Sequence, residues 1–299
     1  MNRQDLQFQS SGVTCRGWFY RPGGVTGKRP CVVMAHGFGA TRSSGIEPFA
    51  EAFCQAGYCV FLFDYRHFGD SEGEPRQLLN PGREVEDWLA ALAFVRQHDA
   101  VDDANVCLWG TSFSGGLVTV AAARDGNVQC IIAQCPMMDG LASVLAVIGY
   151  GGLGQGLKLT AHGLRDIGRS LLGMSPHYMA SAGRPGDVAA MTAADCWDGY
   201  TALLPQDVPN RVAARIAVSL PLFRPVARAA GVGCPALVLV CDKDTVAPAK
   251  AAVKAAGRMA RAEVKHYPVG HFDVYQGEAL QQSLKDQLTF LAAHMPVPA

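Results

Sequence analysis

Short apolar segments alternate with longer segments of mixed polarity along most of the chain. Five short, largely apolar segments have the composition of strands that are buried on both faces of a sheet: 31–35, 58–63, 106–109, 128–134 and 236–241. Segments with helical spacing and helical boundary residues separate or follow them: 44–57, 81–98, 114–124, 248–261 and 274–294. This alternation predicts an α/β fold, with a mainly parallel central sheet and helices on both faces.

Local signals refine the two ends of this pattern. Residues 6–10 and 15–20, with Ser11 and Gly12 between them, predict an antiparallel hairpin at the sheet edge. Residues 262–267 predict a last strand between the two closing helices. Ser44 and Glu47 have the spacing of a capping box and predict the start of the helix 44–57.

One long interval departs from this alternation of predicted strands and helices. Residues 137–233 contain no clear strand, so we predict a helical cap over the carboxyl edge of the sheet, with the core formed by 1–136 and 234–299. The uncharged stretch 140–157 has the length of a membrane span, but six of its residues are glycine. We therefore predict a buried or pocket-lining segment and no membrane span.

Composition limits the possible partners and the compartment. Apolar residues make up 49% of the chain and charged residues 17%, which favours a large folded core. The net charge is zero and no basic run occurs, so we predict no nucleic-acid partner. The amino terminus is too polar for a signal peptide, and the cysteines in apolar segments read as free buried thiols, which suits the cytoplasm. A homo-oligomer is compatible with the sequence.

The segment 106–116, VCLWGTSFSGG, is the strongest chemical signal. An apolar strand leads directly into Gly-x-Ser, and a helix of small residues follows. A serine on such a sharp strand-to-helix turn holds its hydroxyl clear of the sheet, as a nucleophile requires. We predict Ser112 as this nucleophile. Ser114, which replaces the second glycine of G-x-S-x-G, remains as a less favoured alternative because it should already lie inside the helix.

A serine hydroxyl needs a neighbouring base. His271 lies in the loop after the last predicted strand, from where it can reach the carboxyl edge of the sheet, so we predict it as the base. Two rival histidines, His36 and His67, follow earlier strands. We interpret His36 as structural and keep His67 as a candidate pocket residue.

The base in turn needs a carboxylate to orient it. Asp244 lies in the loop after the strand 236–241, and we predict it as this acid. Asp242 and Asp139 are alternatives, with Asp242 more suited to bracing the loop. The order serine, aspartate, histidine along the chain is the order of one known triad type.

An acyl-transfer site also needs donors for a developing oxyanion. The segment 36–39, HGFG, follows the first buried strand, and its glycines allow a close backbone approach. We predict the backbone N–H groups of Phe38 and Phe113 as the donors. This loop lacks the spacing of a dinucleotide site and the lysine of a P-loop, so we predict no cofactor and no metal.

Taken together, these motifs resemble the α/β-hydrolase superfamily. Residues 64–71, DYRHFGDS, resemble the D-x-R-x-x-G-x-S loop of that family, in which Asp64 and Arg66 would form an ion pair that braces the sheet edge. His67 and Phe68 would then line the pocket. Residues 241–248 resemble its G-x-x-D-x-x-x-P loop, with Cys241 in place of the glycine and Asp244 at the aspartate. At finer grain the motifs are similar to dienelactone-hydrolase-like enzymes and fungal polyketide transferases.

The resemblance implies a serine hydrolase that acts on a small-molecule ester or thioester with an apolar acyl group. Transfer of the acyl group to an alcohol or amine, and cleavage of a peptide or C–C bond, remain alternatives that use the same residues. A non-catalytic binding protein that retains the fold is a fourth possibility. In the predicted cap, an apolar segment and four aromatic residues are candidates for the pocket wall or for the core of the cap: 141–148, Tyr150, Tyr178, Trp197 and Tyr200.

Overall fold

The computed structural model describes residues 1–298. Its strands are, in chain order, β1 Asn2–Ser10, β2 Val13–Arg21, β3 Arg29–Ala35, β4 Cys59–Phe63, β5 Val101–Thr111, β6 Cys130–Gln134, β7 Tyr178–Ala182, β8 Ala189–Met191, β9 Val212–Ala213, β10 Ala236–Cys241 and β11 Ala262–Tyr267. Its helices are α1 Glu47–Gln55, α2 Pro81–Arg96, α3 Phe113–Asp125, α4 Gly140–Leu171, α5 Cys196–Leu203, α6 Ile216–Ser219, α7 Ala249–Ala256 and α8 Gly277–His294.

Eight strands form one central sheet in the order β1-β2-β4-β3-β5-β6-β10-β11. The hairpin β1–β2 joins the sheet through antiparallel pairing of β2 with β4, and every pairing from β4 to β11 is parallel. The predicted α/β fold with an edge hairpin is therefore confirmed. Because the parallel strands all end at the same edge, the loops that follow β3, β5, β10 and β11 converge there.

Apolar side chains fill both faces of this sheet. Trp88 of α2 is fully buried on one face, and Trp109 of β5 packs against Phe49 of α1 on the other, with ring centroids 5.2 Å apart. The ten cysteines are free thiols in the described chain, and nine of them are buried. They fill space in the core as small apolar residues do.

Several element boundaries differ from the sequence prediction. Strand β5 begins at Val101, five residues before the predicted start, and α7 ends at Ala256 instead of 261. The predicted capping box is wrong: α1 has Ile46 as its N-cap residue, without a side-chain cap. The Ser44 hydroxyl instead accepts a hydrogen bond from the backbone N–H of Thr41, so it stabilises the preceding turn.

The interval 137–233 is not entirely helical, in contrast to the prediction. Strands β7, β8 and β9 form a small separate sheet in the order β8-β7-β9. Strands β8 and β9 have three and two residues, too few for a clear periodic pattern, and the five residues of β7, YMASA, do not form a continuous apolar run. The long helix α4 also contains a kink at Gly152, which has φ 77°.

Helix α4 is, by length and composition alone, suited to crossing a membrane, with a mean hydropathy of 1.3 over its most apolar window. Only 17% of that window is buried. Leu153, Leu157, Leu164 and Leu171 are all more than half exposed. The absence of a membrane span therefore stays a prediction.

The predicted ion pair between Asp64 and Arg66 is wrong. Asp64 binds the guanidinium of Arg42 and also accepts a hydrogen bond from the Arg42 backbone N–H at 2.7 Å. Arg66 turns away to α2, where its Nε lies 2.7 Å from Asp87. Both acids are almost completely buried, so each charge is offset by a cation from another element rather than by its near neighbour in sequence.

Candidate active site

Ser112 lies at the turn between β5 and α3. It has φ 55° and ψ −120°, a strained conformation for a residue other than glycine, and its backbone N–H donates to the carbonyl oxygen of Gln134 at 2.8 Å. A Cβ at position 110 would collide with the backbone carbonyl of Ser114, which explains the glycine there. The turn therefore holds the Ser112 side chain at the carboxyl edge of the sheet.

The three residues of the predicted triad lie in hydrogen-bonding contact. The Oγ of Ser112 is 3.0 Å from Nε2 of His271, and Nδ1 of His271 is 2.6 Å from Oδ2 of Asp244. These residues are separated by up to 159 positions in the sequence. Each follows a different parallel strand, namely β5, β10 or β11, and the shared edge brings them together.

Asp244 is itself firmly oriented. Its second oxygen, Oδ1, accepts hydrogen bonds from the backbone N–H groups of Val246 and Ala247 at 2.8 and 2.6 Å. The alternative acids lie elsewhere. Asp242 contacts His266 at 2.7 Å, and Asp139 caps α4 and binds Arg224.

The environment of His271 favours its protonated form. Burial by itself would lower the pKa of His271, but the charge of Asp244, the neighbouring Cys135 and the hydrogen bond to Asp244 together outweigh it and raise the pKa to about 9. The same carboxylate would stabilise an imidazolium formed when the ring takes a proton from Ser112.

The rival nucleophile and bases are held away from this contact. Ser114 is completely buried, and its Oγ lies 2.6 Å from the hydroxyl of Tyr65. Burial lowers the pKa of His36 to about 3, and its Nδ1 contacts the carbonyl oxygen of Gly37 at 3.0 Å. His67 is buried beside Arg83 and Phe68 packs near His36, and neither lines the cavities beside Ser112, so their predicted pocket role is wrong.

The two predicted anion donors flank Ser112. Phe113 is the first residue of α3, so its N–H has no acceptor within the helix. Phe38 follows Gly37, at which an added Cβ would lie 3.3 Å from Cβ of Ser112, so the loop passes very close to the serine. The rings of Phe38 and Phe113 pack edge to face with centroids 5.8 Å apart, which fixes the two donor segments relative to each other.

Two cavities meet at Ser112 and Phe38. The larger cavity has a volume of about 830 Å³, including the space at its opening, and α4 supplies much of its wall. Its lining is largely apolar and includes Val144, Val147, Tyr150, Leu159, Met179 and Ile216. The smaller, of about 460 Å³, lies on the side of His271 and is lined by Tyr200, Leu203, Leu204, Phe272 and others.

The sequence missed several of these residues. Met179, Met191 and Ile216 lie in or next to the short elements of the interval 137–233, which carry no recognisable pattern. Tyr200 is one of the predicted candidates, and the structure adds a contact that the sequence does not indicate: its hydroxyl donates to the carbonyl oxygen of Phe38 at 3.1 Å. Tyr178 and Trp197 do not line either cavity.

Comparison with known proteins identifies the class. The model of the alpha/beta hydrolase family matches residues 32–281. The chain belongs to this family, as its motifs predicted, and the family assigns it to the hydrolases.

The chain is also similar to individual proteins and to solved structures. The chain is 42% identical to the quorum-quenching protein AidA of Acinetobacter baumannii, over 98% of this chain and 95% of that protein. It is 29% identical to the polyketide transferase af380 of Aspergillus fumigatus, over 99% of both chains. In structure it is similar to the alpha/beta hydrolase GrgF from Penicillium sp., with a TM-score of 0.83, 23% identity and 99% of both chains covered.

Proposed function

We propose that this protein is a serine hydrolase that cleaves a carboxylic ester or thioester with an apolar acyl group through an acyl-enzyme. One observation carries the proposal: Ser112 Oγ lies 3.0 Å from Nε2 of His271, whose Nδ1 lies 2.6 Å from Asp244. A hydroxyl, an imidazole and a carboxylate in this order form the unit that activates serine for attack on a carbonyl.

In the first half-reaction, Oγ of Ser112 forms a bond to the carbonyl carbon while its proton passes to Nε2 of His271. The carbonyl oxygen becomes an oxyanion, and the N–H groups of Phe38 and Phe113 stabilise it. The intermediate collapses, the C–O or C–S bond breaks, and His271 gives its proton to the leaving oxygen or sulfur. The acyl group remains esterified to Ser112.

In the second half-reaction, water attacks the acyl carbon and gives a proton to His271. Collapse of the second tetrahedral intermediate breaks the bond to Oγ, and the proton returns to Ser112. The acid leaves, and the enzyme is regenerated.

The two cavities suggest how the substrate is oriented. Because His271 protonates the leaving atom, the leaving group belongs on the side of His271, in the smaller cavity. The acyl group then occupies the larger cavity beneath α4. Both linings are mainly apolar, so we expect a small molecule with apolar groups on both sides of the scissile bond.

A second candidate is acyl transfer, in which an alcohol or amine displaces the acyl group. The observation that favours it is the apolar lining of the cavity on the His271 side, where an organic acceptor could compete with water. A relative over the full length is named a polyketide transferase, which is consistent with this chemistry.

The test combines labelling with product analysis. A fluorophosphonate probe should modify Ser112, as shown by peptide mapping, and the protein should hydrolyse p-nitrophenyl esters or acyl thioesters. Adding an alcohol or amine acceptor separates the two candidates, because a transferase yields the new ester or amide at the expense of the free acid. A protein that is neither labelled nor active on any of these substrates would contradict the proposal.

We also propose that this protein is located in the cytoplasm, acts on a small molecule and does not bind nucleic acid. The free thiols of the described chain suit a reducing compartment. The net charge of zero offers no general attraction for a polyanion.

A further inference from the structure

A chain of buried polar side chains runs beneath the serine turn. The indole Nε1 of Trp109 donates to Oε1 of Gln287 at 2.6 Å, and Nε2 of Gln287 donates to Oε1 of Gln134 at 2.9 Å. The Nε2 of Gln134 then donates to Oγ1 of Thr111 at 3.3 Å. All four residues are at most 2% exposed, so none of these bonds competes with bulk water.

The chain continues to the loop that carries the candidate base. The Oγ1 of Thr111 is hydrogen-bonded to the hydroxyl of Tyr275, and Sγ of Cys135 lies 3.5 Å from each of these oxygens. Thr111 directly precedes Ser112. Tyr275 ends the 3₁₀ turn Asp273–Tyr275, which begins two residues after His271. One hydrogen bond therefore joins the segment of the nucleophile to the segment of the base.

The direction of this chain is fixed by chemistry. An indole N–H can only donate, so Gln287 must present its oxygen to Trp109 and its nitrogen to Gln134. Gln134 must then present its nitrogen to Thr111. With Oγ1 of Thr111 accepting from Gln134, the Thr111 hydroxyl proton is directed to its remaining partners, Tyr275 and Cys135. The direction from Trp109 to Thr111 is therefore unique, whereas the hydroxyls of Thr111 and Tyr275 and the thiol of Cys135 can donate around their triangle in either sense.

The unit connects four elements of the fold, namely β5, β6, α8 and the turn after His271. Hydrogen-bonded pairing already joins β5 to β6, with Thr111 opposite Gln134. The loop 268–275 is not part of the sheet. A backbone hydrogen bond from the N–H of Lys243 to the carbonyl oxygen of Val269 holds its start against the loop after β10, and side chains connect its end to β5. In this polar chain, Tyr275 makes that connection through its hydroxyl.

We infer that Thr111 and Tyr275 are positioning residues that set the distance between Ser112 and His271. This inference rests on the proposed function, because it assigns a role in that reaction. Both residues also line the smaller cavity, but neither hydroxyl takes or gives a proton in the chemical steps. Their bond holds the serine turn and the histidine loop in register, and attack by Ser112 on a carbonyl requires this alignment.

The first test is Tyr275→Phe, which removes the hydroxyl and keeps the ring. With a p-nitrophenyl ester we expect kcat to fall between about tenfold and a hundredfold while KM stays within about twofold. The rate of Ser112 labelling by a fluorophosphonate should fall by a similar factor. The matched control is Tyr267→Phe, which removes a tyrosine hydroxyl that bonds Asp286 of α8 at 2.6 Å, outside this chain of residues. It should keep the wild-type kcat.

The second test acts on the other partner. Thr111→Val, which keeps the shape but removes Oγ1, should lower kcat as Tyr275→Phe does, and the double variant should lose little more, because both remove the same bond. Thr111→Ser, which keeps the hydroxyl, should retain most of the wild-type kcat. Thermal unfolding of each variant shows whether the fold is retained, and Tyr275→Phe decides the question if Thr111→Val does not fold.

The outcomes that overturn the inference are distinct. If Tyr275→Phe folds and has a kcat within about twofold of wild type, or if its loss lies in KM, the hydroxyl has no positioning role. These two outcomes concern only the variant. If the wild-type enzyme is labelled and active, the proposed function stands. If the wild-type protein is neither labelled nor active, the proposed function fails and this inference fails with it.

Discussion

The hydroxyl groups of Tyr65 and Ser114 lie 2.6 Å apart in the core, directly beside the turn that carries Ser112. The indole of Trp88 also donates to the Tyr65 hydroxyl at 2.9 Å. Ser114 thus replaces the usual second glycine of the motif and uses its side chain to bind the strand-to-loop segment after β4. This explains how a departure from the family pattern is compatible with the turn.

The two serines should therefore respond differently to substitution. Ser112→Ala should reduce kcat by at least about a thousandfold and leave the fold intact, because the attacking oxygen is lost. Ser114→Ala should retain activity and lose about 1 kcal/mol of unfolding free energy, since it removes one buried hydrogen bond. Ester kinetics and denaturant unfolding of both variants test this. The reverse pattern would move the nucleophile to Ser114.

The carboxylate of Asp244 should be essential to the rate. Asp244→Asn should reduce kcat by about 10³- to 10⁴-fold, because the amide no longer stabilises the imidazolium and favours the wrong tautomer of His271. The control is Asp242→Asn, which alters a neighbouring and much more exposed carboxylate that binds His266. It should change kcat by less than about twofold. Similar losses in both variants would argue against the assignment of Asp244.

The pH dependence should reflect the raised pKa of His271. The base is active when neutral, so a raised pKa means that kcat/KM increases with pH and that its midpoint lies above the ordinary histidine value of 6.5. In Asp244→Asn burial dominates, and the midpoint of the residual activity should move down. Rate profiles from pH 5 to about 10 test both statements. A wild-type midpoint below the ordinary value would contradict the proposed environment.

The two cavities should be separable by substitution. Val147→Trp should fill part of the larger cavity and reduce kcat/KM for long acyl chains by about tenfold or more relative to acetyl esters, because the acyl group no longer fits. Leu203→Trp should instead discriminate against bulky leaving groups and leave the chain-length preference unchanged. A matrix of esters that varies each side of the bond measures both. If Val147→Trp affected the leaving group and Leu203→Trp affected the acyl chain, the proposed substrate orientation would be reversed.

Much of the fold and the candidate site could be predicted because the signals are local. The continuous apolar strands indicate a buried parallel sheet, and such a sheet brings the ends of its strands to one edge. Residues that follow β5, β10 and β11 are therefore expected at this edge, where loops can bring their side chains into contact. Ser112 directly follows β5, and Asp244 and His271 lie in the loops that begin where β10 and β11 end, which places all three at the carboxyl edge of the sheet.

The features that could not be predicted from the sequence depend on which distant residue a side chain contacts in the folded protein. Asp64 has Arg66 two positions away, yet it binds Arg42 from another loop, and no local pattern encodes that choice. Ser44 and Glu47 have the correct spacing for a cap, but Gly45 adopts φ 72° and moves the start of the helix. The strands β8 and β9 have only three and two residues, and the five residues of β7, YMASA, do not form a continuous apolar run like that of β4.

The interval 137–233 connects two strands, β6 and β10, that pair directly with each other. The interval thus occupies the position of an ordinary crossover connection, and the hydrogen-bonded ladder of the sheet is continuous without it. Most of the wall of the larger cavity consequently comes from this interval, while the predicted triad residues are carried by loops of the sheet. Recombination or directed evolution restricted to this interval should therefore change the preference for the proposed acyl group while Ser112, His271 and Asp244 remain on an unchanged support.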